Sequence, residues 1–239
     1  EIVIDLDSKE AEYKVIPIDK RLDDRVPQEI KDMLKPYRTG VDSLMTRVPV
    51  GKTKNALAQH SPELLNWATD FVLERALELD PDVDFAIVNK GGLRRGLPKG
   101  TIHEGQIITM MPFNNLLTVI DIKGKDLMDT FEVMARADGN GVSKGVEVVY
   151  IPGTAEAQKQ DAKVVSATLN GEAIDPERTY RIATIDYLAN GGDYMTPLKN
   201  HTVVTRSHQV LYKDLIDYLR TGKGRGKIIN PSSEIRMHP

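Results

Sequence analysis

The interleaving of helical and strand-like segments is the feature of this sequence that most constrains its fold. Ser61 and Pro62 are typical of a helix start, and the apolar stripe that follows ends at Asp80-Pro81. The next apolar run, 85–88, has the length and composition of a buried strand. Similar helix and strand patterns continue along the chain without a strict strand–helix–strand repeat. We therefore expect an α+β fold, a mixed sheet with helices packed on its faces in three layers, as one globular domain.

The remaining elements follow from the periodicity of the apolar residues. Further helices are predicted over 23–37, 124–137 and 207–222, the last with Ser207 as its N-cap. Strands are predicted over 106–112, 116–122, 145–151, 163–169 and 179–185, and residues 2–6 and 13–18 are interpreted as two short strands or an extended arm. Asn170-Gly171 is a strong signal for a tight turn. We interpret residues 1–40 as an N-terminal arm with the first helix, and residues 41–239 as the main domain.

Composition excludes several classes of function. The net charge of −3 over 239 residues offers no basic excess for nucleic acid. No apolar run approaches the roughly 18–20 residues that a membrane span needs. The absence of cysteine excludes disulfides, thiol nucleophiles and cysteine-ligated metals.

No catalytic or metal-ligating residue is predicted. The five histidines are dispersed, and the nearest pair, His201 and His208, has no acidic ligand pattern beside it. Asp5 and Asp7 follow an apolar strand, as in enzymes that form a phospho-aspartate, but Ser8-Lys9 replaces the turn such sites use. We favour a solvated arm there.

Three loops carry residues suited to ligand binding. The first, 89–95, follows the buried strand and combines glycines with two arginines, but Leu97 stands where a nucleotide-triphosphatase loop has its lysine. The second, 111–115, places Phe113 in a polar break, and the third, 187–194, joins aromatics, glycines and Asp193. Alone, each is explained as an ordinary turn with exposed side chains. Together they supply aromatic faces, a guanidinium, a carboxylate and amides, which suit a base, a phosphate and a ribose.

The three segments resemble, in order and spacing, the signatures of the C-terminal domain of the 5′-nucleotidase / UDP-sugar hydrolase family. They read Asn89-Lys90-Gly91-Gly92-Leu93-Arg94, Met111-Pro112-Phe113-Asn114-Asn115 and Tyr187-Leu188-Ala189-Asn190-Gly191-Gly192-Asp193. The resemblance covers roughly residues 45–220 and implies a nucleotide- or nucleoside-recognition domain.

By motif position, the resemblance also assigns roles. Phe113 and Tyr187 are expected to clamp the base, where Tyr187 brings a hydroxyl that needs a partner. Arg94 is expected to grip the phosphate and Asp193 to accept the ribose hydroxyls. Four further residues are expected to line the pocket or shape its loops: Asn89, Asn115, Gly92 and, by a looser match, Gly145 beside the base.

Two departures from the family pattern bear on function. About forty residues precede the recognisable region, too few for the metallophosphoesterase domain that holds two metals in this family. The resemblance therefore implies no cofactor in this chain, and a separate metallophosphoesterase chain that contributes the divalent metals. A second arginine, usual shortly before the helix at Ser61, is missing from Asn55-Ala56-Leu57-Ala58-Gln59-His60, which indicates a weaker phosphate grip.

The sequence is also compatible with another function, that of a stand-alone, non-catalytic protein that binds nucleosides or nucleotides or has a structural role. The location that the family implies is the periplasm or cell surface, which includes a lipoprotein whose anchor has been removed.

Overall fold

A computed structural model describes every residue except 1, 5, 9, 18 and 156–158. Contacts between residues divide the chain into two compact units, residues 1–43 and 44–239. Asp5, one of the two aspartates considered above, lies outside the described residues. Within the described residues, no helix combines the length and the apolar composition needed to cross a membrane.

The first unit contains a short hairpin and most of a long helix. Strands β1 (Ile2–Ile4) and β2 (Ala11–Tyr13) pair antiparallel. Of the segment predicted as a second strand, 13–18, residue 13 ends β2 and residues 14–17 lie in no strand. A 3₁₀ helix, Lys20–Arg25, precedes α1 (Gln28–Thr46), which begins after Pro27 and runs nine residues past the predicted end. Pro36 lies inside α1. Since proline only removes one backbone donor and kinks a helix, it need not end one.

The second unit is built on a mixed five-stranded sheet in the order β12-β6-β11-β4-β7. Its strands are β4 (Phe85–Val88), β6 (Leu116–Lys123), β7 (Gly141–Val142), β11 (Thr179–Ile185) and β12 (Thr202–Val210). β11 runs parallel to β4 and antiparallel to β6. All four residues of β4 are buried, so both faces of this strand are covered.

Two smaller sheets complete the unit. One has the order β13-β3-β5 and the other the order β10-β9-β8-β14. The first contains β3 (Pro49–Thr53), β5 (Gly100–His103) and β13 (Ile228–Ile229). The second contains β8 (Val146–Ile151), β9 (Lys163–Leu169), β10 (Glu172–Ala173) and β14 (Met237–His238). The predicted turn at Asn170-Gly171 is confirmed, because both residues have the positive φ that the tight hairpin between β9 and β10 requires.

Helices pack against these sheets. They are α2 (Pro62–Leu79), α3 (Glu104–Met110), α4 (Gly124–Arg136), α5 (Asp186–Ala189) and α6 (Leu211–Arg220). α2 lies on the central sheet, where it contacts β4, β6, β7 and β11. Its start is as predicted, since Ser61 Oγ accepts a hydrogen bond from the backbone N–H of Leu64 at 3.3 Å. The α+β fold, with helices packed on a mixed sheet, is confirmed.

Two further predicted elements are wrong. Residues 106–112 belong mostly to α3 and not to a strand, because a short apolar run fits a buried helix equally well. Ser207 lies within β12 and does not cap a helix; its Oγ accepts a hydrogen bond from the backbone N–H of Leu117. The last helix begins at Leu211 instead.

Candidate functional site

The topology of the central sheet brings the three ligand-type loops to one edge. Asn89 directly follows β4, and α5 directly follows β11, which is parallel to β4. Asn115 directly precedes β6, which is antiparallel to β11, so the start of β6 lies at the end of β11. The carboxylate of Asp186 fixes this junction by accepting a hydrogen bond from the N–H of Leu116 at 3.0 Å. Loops far apart in the sequence therefore meet in space.

A cleft of about 280 Å³ lies between these loops. Its volume is near the lower end of the range for small-molecule sites, ~300–1,000 Å³. Seven of the eight residues that the sequence singles out for ligand binding line it, together with Gly91: Asn89, Gly92, Arg94, Phe113, Asn115, Tyr187 and Asp193. Gly145 is not among the lining residues; it has a φ of +89° and lies beside Asn170 at the turn between β9 and β10.

Two aromatic rings line the cleft and are half exposed. Phe113 is 47% exposed and Tyr187 is 46% exposed. The ring–ring contacts of the described residues do not include this pair. Gly192 packs against Tyr187, since a Cβ on Gly192 would lie 2.5 Å from the ring. Both rings therefore keep surface free for a planar ligand.

Asp193 is held by hydrogen bonds on both carboxylate oxygens. The hydroxyl of Tyr187 donates to Oδ1 at 2.8 Å, and Asn89 Nδ2 donates to Oδ2 at 2.5 Å. The backbone N–H of Asp193 in turn donates to the Tyr187 hydroxyl at 3.2 Å. The bond to Asp193 raises the pKa of Tyr187, because the carboxylate stabilises the protonated phenol. The hydroxyl of Tyr187 thus has its partner.

The backbone at Asp193 is unusual. Asp193 has φ 51° and Tyr194 has φ 63°, the left-handed region that residues other than glycine rarely adopt. Strained residues of this kind cluster at functional sites. Tyr194 is 88% exposed and lines a neighbouring cavity that shares Asp193.

Arg94 supplies the positive charge of the cleft. Its guanidinium is exposed, and Nη1 makes a long hydrogen bond of 3.4 Å to the carbonyl of Gly91. The ion pairs found among the described residues do not involve Arg94, and its side chain lines the cleft. Such a guanidinium can bind a carboxylate or a phosphate with two parallel hydrogen bonds.

The segment that lacks the family's second arginine lies beside this loop. Gln59 Nε2 donates to the carbonyl of Leu93 at 3.2 Å, immediately before Arg94. Arg94 is the one cationic residue in the lining of the cleft described above. A single guanidinium indicates weaker binding of a phosphate than a pair would give.

Sequence reasoning missed the residues that brace the first loop. Asn140 is buried, and its Oδ1 accepts a hydrogen bond from the backbone N–H of Lys90 at 2.8 Å. The ammonium of Lys90 donates to the carbonyls of Ala137 and Asp138, just beyond the end of α4. Burial lowers the pKa of Lys90. The composition of Gly139-Asn140-Gly141 is typical of a turn, but no pattern in the sequence links this segment to residue 90.

The described residues contain no group of three histidine or carboxylate side chains arranged to hold a metal ion. The resemblance assigns the two divalent metals to a separate catalytic domain, and no reaction step is assigned to them here. What the cleft offers is recognition through ring faces, a carboxylate and a guanidinium.

Comparisons with known proteins show what the chain is similar to. An apyrase of Tabanus yao is 37% identical over 149 residues, which cover 54% of this chain and 26% of the apyrase. A cell wall protein of Listeria monocytogenes is 26% identical over 188 residues, or 76% of this chain and 24% of that protein. A crystal structure of a 5′-nucleotidase precursor from Thermus thermophilus superposes with a TM-score of 0.71 at 25% identity, covering 87% of this chain and 42% of that one.

The chain thus spans about a quarter of the length of these two relatives. The family described as "5'-nucleotidase, C-terminal domain" matches residues 45–200, which include all three loops of the cleft. With the fold, the cleft and this match in agreement, the chain belongs to the 5′-nucleotidase C-terminal domain family.

Proposed function

We propose that this chain binds a nucleoside or nucleotide in the cleft, as the substrate-recognition part of a 5′-nucleotidase-type phosphomonoester hydrolase. The observation that carries the proposal is the lining of one cleft by two half-exposed rings, a carboxylate and an exposed guanidinium. Relatives named apyrase and 5′-nucleotidase support the same substrate class.

Each group has a role in the proposal. Phe113 and Tyr187 stack on the two faces of the base, with Asn89 and Asn115 beside it. Asp193 accepts the ribose hydroxyls, and Arg94 binds the phosphate. Fixing three parts of a nucleotide at once orients its phosphoester bond for attack, which is how a binding domain contributes to catalysis.

Hydrolysis itself is assigned to a metallophosphoesterase outside these 239 residues. In our proposal it is a separate chain, whose divalent metals activate the attacking water. The periplasm or the cell surface is the proposed location, as a relative named a cell wall protein supports.

Calorimetric titration of the chain with AMP, adenosine and UDP-glucose tests the binding role. We expect binding of at least one of these ligands and its loss in the double variant Phe113→Ala, Tyr187→Ala. If none binds to the unaltered chain, the domain is structural and the proposal fails.

A phosphatase assay tests whether hydrolysis requires a protein other than this chain. The purified chain with added Mn²⁺ or Mg²⁺ should release no phosphate from AMP, since its described residues include no metal cluster. Hydrolysis by the chain purified free of every other polypeptide, and abolished by Phe113→Ala, would place catalysis in the chain itself and contradict the proposal.

A further inference from the structure

The hydroxyl of Tyr187 makes two hydrogen bonds to a single residue, Asp193. It donates to the carboxylate oxygen Oδ1 at 2.8 Å and accepts from the Asp193 backbone N–H at 3.2 Å. The two bonds close a ring that fixes both the main chain and the side chain of Asp193. A phenylalanine at this position could make neither bond.

Asp193 has reason to need such a restraint. Its φ of 51° and ψ of 37° place it in the left-handed region, and Tyr194 directly after it is left-handed as well. Backbone of this kind persists only where surrounding contacts fix it. Tyr187 Oη supplies two of these contacts, and Asn89 Nδ2 supplies a third at the other carboxylate oxygen.

The carboxylate held in this way is still able to bind a ligand. Each of its oxygens has two lone pairs, and each accepts one hydrogen bond from Tyr187 or Asn89. One lone pair on each oxygen is left to accept a hydroxyl group. Two acceptors at a fixed separation match the two neighbouring hydroxyls of a ribose.

We propose that Tyr187, beyond any stacking by its ring, is a positioning residue whose hydroxyl presets the Asp193 carboxylate for a ribose 2′,3′-diol. The inference rests on the proposed function and deepens it: the cleft selects ribonucleosides over sugars without these hydroxyls. The raised pKa of Tyr187 is consistent with this role, since the phenol remains a donor at neutral pH.

A comparison of two ligands and two variants tests the inference. Adenosine has both hydroxyls and 2′,3′-dideoxyadenosine has neither, while the base is identical. Tyr187→Phe keeps the ring and removes the hydroxyl. Tyr194→Phe is the matched control, because it removes a neighbouring hydroxyl that is not among the Asp193 hydrogen bonds described above. Affinities are measured by calorimetry on the full 239-residue chain.

We expect Tyr187→Phe to weaken adenosine binding about tenfold, the effect of a misplaced charged acceptor. Binding of dideoxyadenosine should change less than about twofold, which also shows that the variant is folded and its cleft intact. Tyr194→Phe should change neither affinity.

Three results would overturn the inference. An equal loss of affinity for both ligands would assign the effect to the ring. An unchanged affinity for adenosine would show that the hydroxyl does not contribute to binding. Tighter adenosine binding in Tyr187→Phe would mean that the hydroxyl competes with the ribose. These outcomes leave the proposed function standing, whereas failure of the unaltered chain to bind either ligand would remove both.

Discussion

Arg94 and Arg95 are consecutive, exposed arginines, yet the structure separates their roles. Arg94 lines the cleft, and Arg95 does not. Hydrogen bonds to charged groups contribute more than neutral ones, and a guanidinium can bind a phosphate through two of them. Substitutions of Arg94 and Arg95 remove the same charge from adjacent positions, so a difference between their effects reports the contact made in the cleft.

Arg94→Gln should weaken AMP binding about tenfold and leave adenosine binding unchanged, because only AMP carries the phosphate. Arg95→Gln should alter neither affinity. Titration calorimetry of both variants with both ligands measures the effect. If the two substitutions weaken AMP binding equally, the phosphate is attracted by the general positive charge of this surface and not by a specific contact with Arg94.

At the scale of elements, the first loop of the cleft depends on a turn that lies about fifty residues later in the sequence. Lys90 donates its backbone N–H to the side chain of buried Asn140, and its ammonium bonds to carbonyls at the end of α4. This brace fixes the segment between Asn89 and Gly92. A buried acceptor removed from such a pair leaves its donor unsatisfied.

Asn140→Ala should lower the free energy of unfolding by about 1–3 kcal/mol, the usual cost of an unsatisfied buried group. Amide hydrogen exchange at Lys90 should become faster. Asn55→Ala, at an exposed asparagine outside the cleft lining, is the control and should change stability by less than about 0.5 kcal/mol. Unchanged exchange at Lys90 in the Asn140 variant would show that the brace does not hold the loop.

Much of the site could be predicted from the sequence, because its residues lie next to strands whose apolar pattern is clear. Asn89 follows the fully buried β4, and Tyr187 follows β11. The long-range brace by Asn140 could not be predicted, since no local pattern encodes a partner fifty residues away. The sequence analysis also predicts a strand where the structure has α3. The one sequence signal for this helix is Gln106, three residues after His103, whose side chain accepts a hydrogen bond from the His103 N–H at the helix start.

At the scale of the whole second unit, the C-terminal segment is bound to α2 and to β7. Arg236 is 7% exposed and binds both carboxylate oxygens of Asp70 on α2, at 2.7 and 2.9 Å. It also donates to the carbonyl of Val142 on β7, which pairs with β4 beside the cleft. The chain end thus supports the sheet edge that carries Asn89.

Arg236→Met should destabilise the protein by about 2–3 kcal/mol. Breaking a buried ion pair costs roughly 3–5 kcal/mol, and the partial exposure of Asp70 reduces this through solvent screening. Urea unfolding measures the change. Arg225→Met, at an exposed arginine, should shift stability by less than about 0.5 kcal/mol. Equal stability of the two variants would refute a tethering role for the C-terminal segment.

The pH dependence of stability offers a second test of this segment. The carbonyl of Pro239 and then the carboxylate of Glu147 raise the pKa of His238 above its ordinary value of about 6.5. A raised pKa in the folded state gives stabilisation that is present below the unfolded value and is lost as the pH rises through the folded one. Stability should therefore fall from pH 6 to pH 8 by more in the unaltered protein than in His238→Asn. An identical slope in the two proteins would exclude this contribution.

If the three loops form one nucleotide site, the base binds between Phe113 and Tyr187. A crystal structure of the chain grown with saturating AMP shows where the nucleotide binds. We expect density for the base between the two rings, the ribose at Asp193 and the phosphate at Arg94. A base bound elsewhere, or an empty cleft at saturating AMP, would show that the three loops do not form this site.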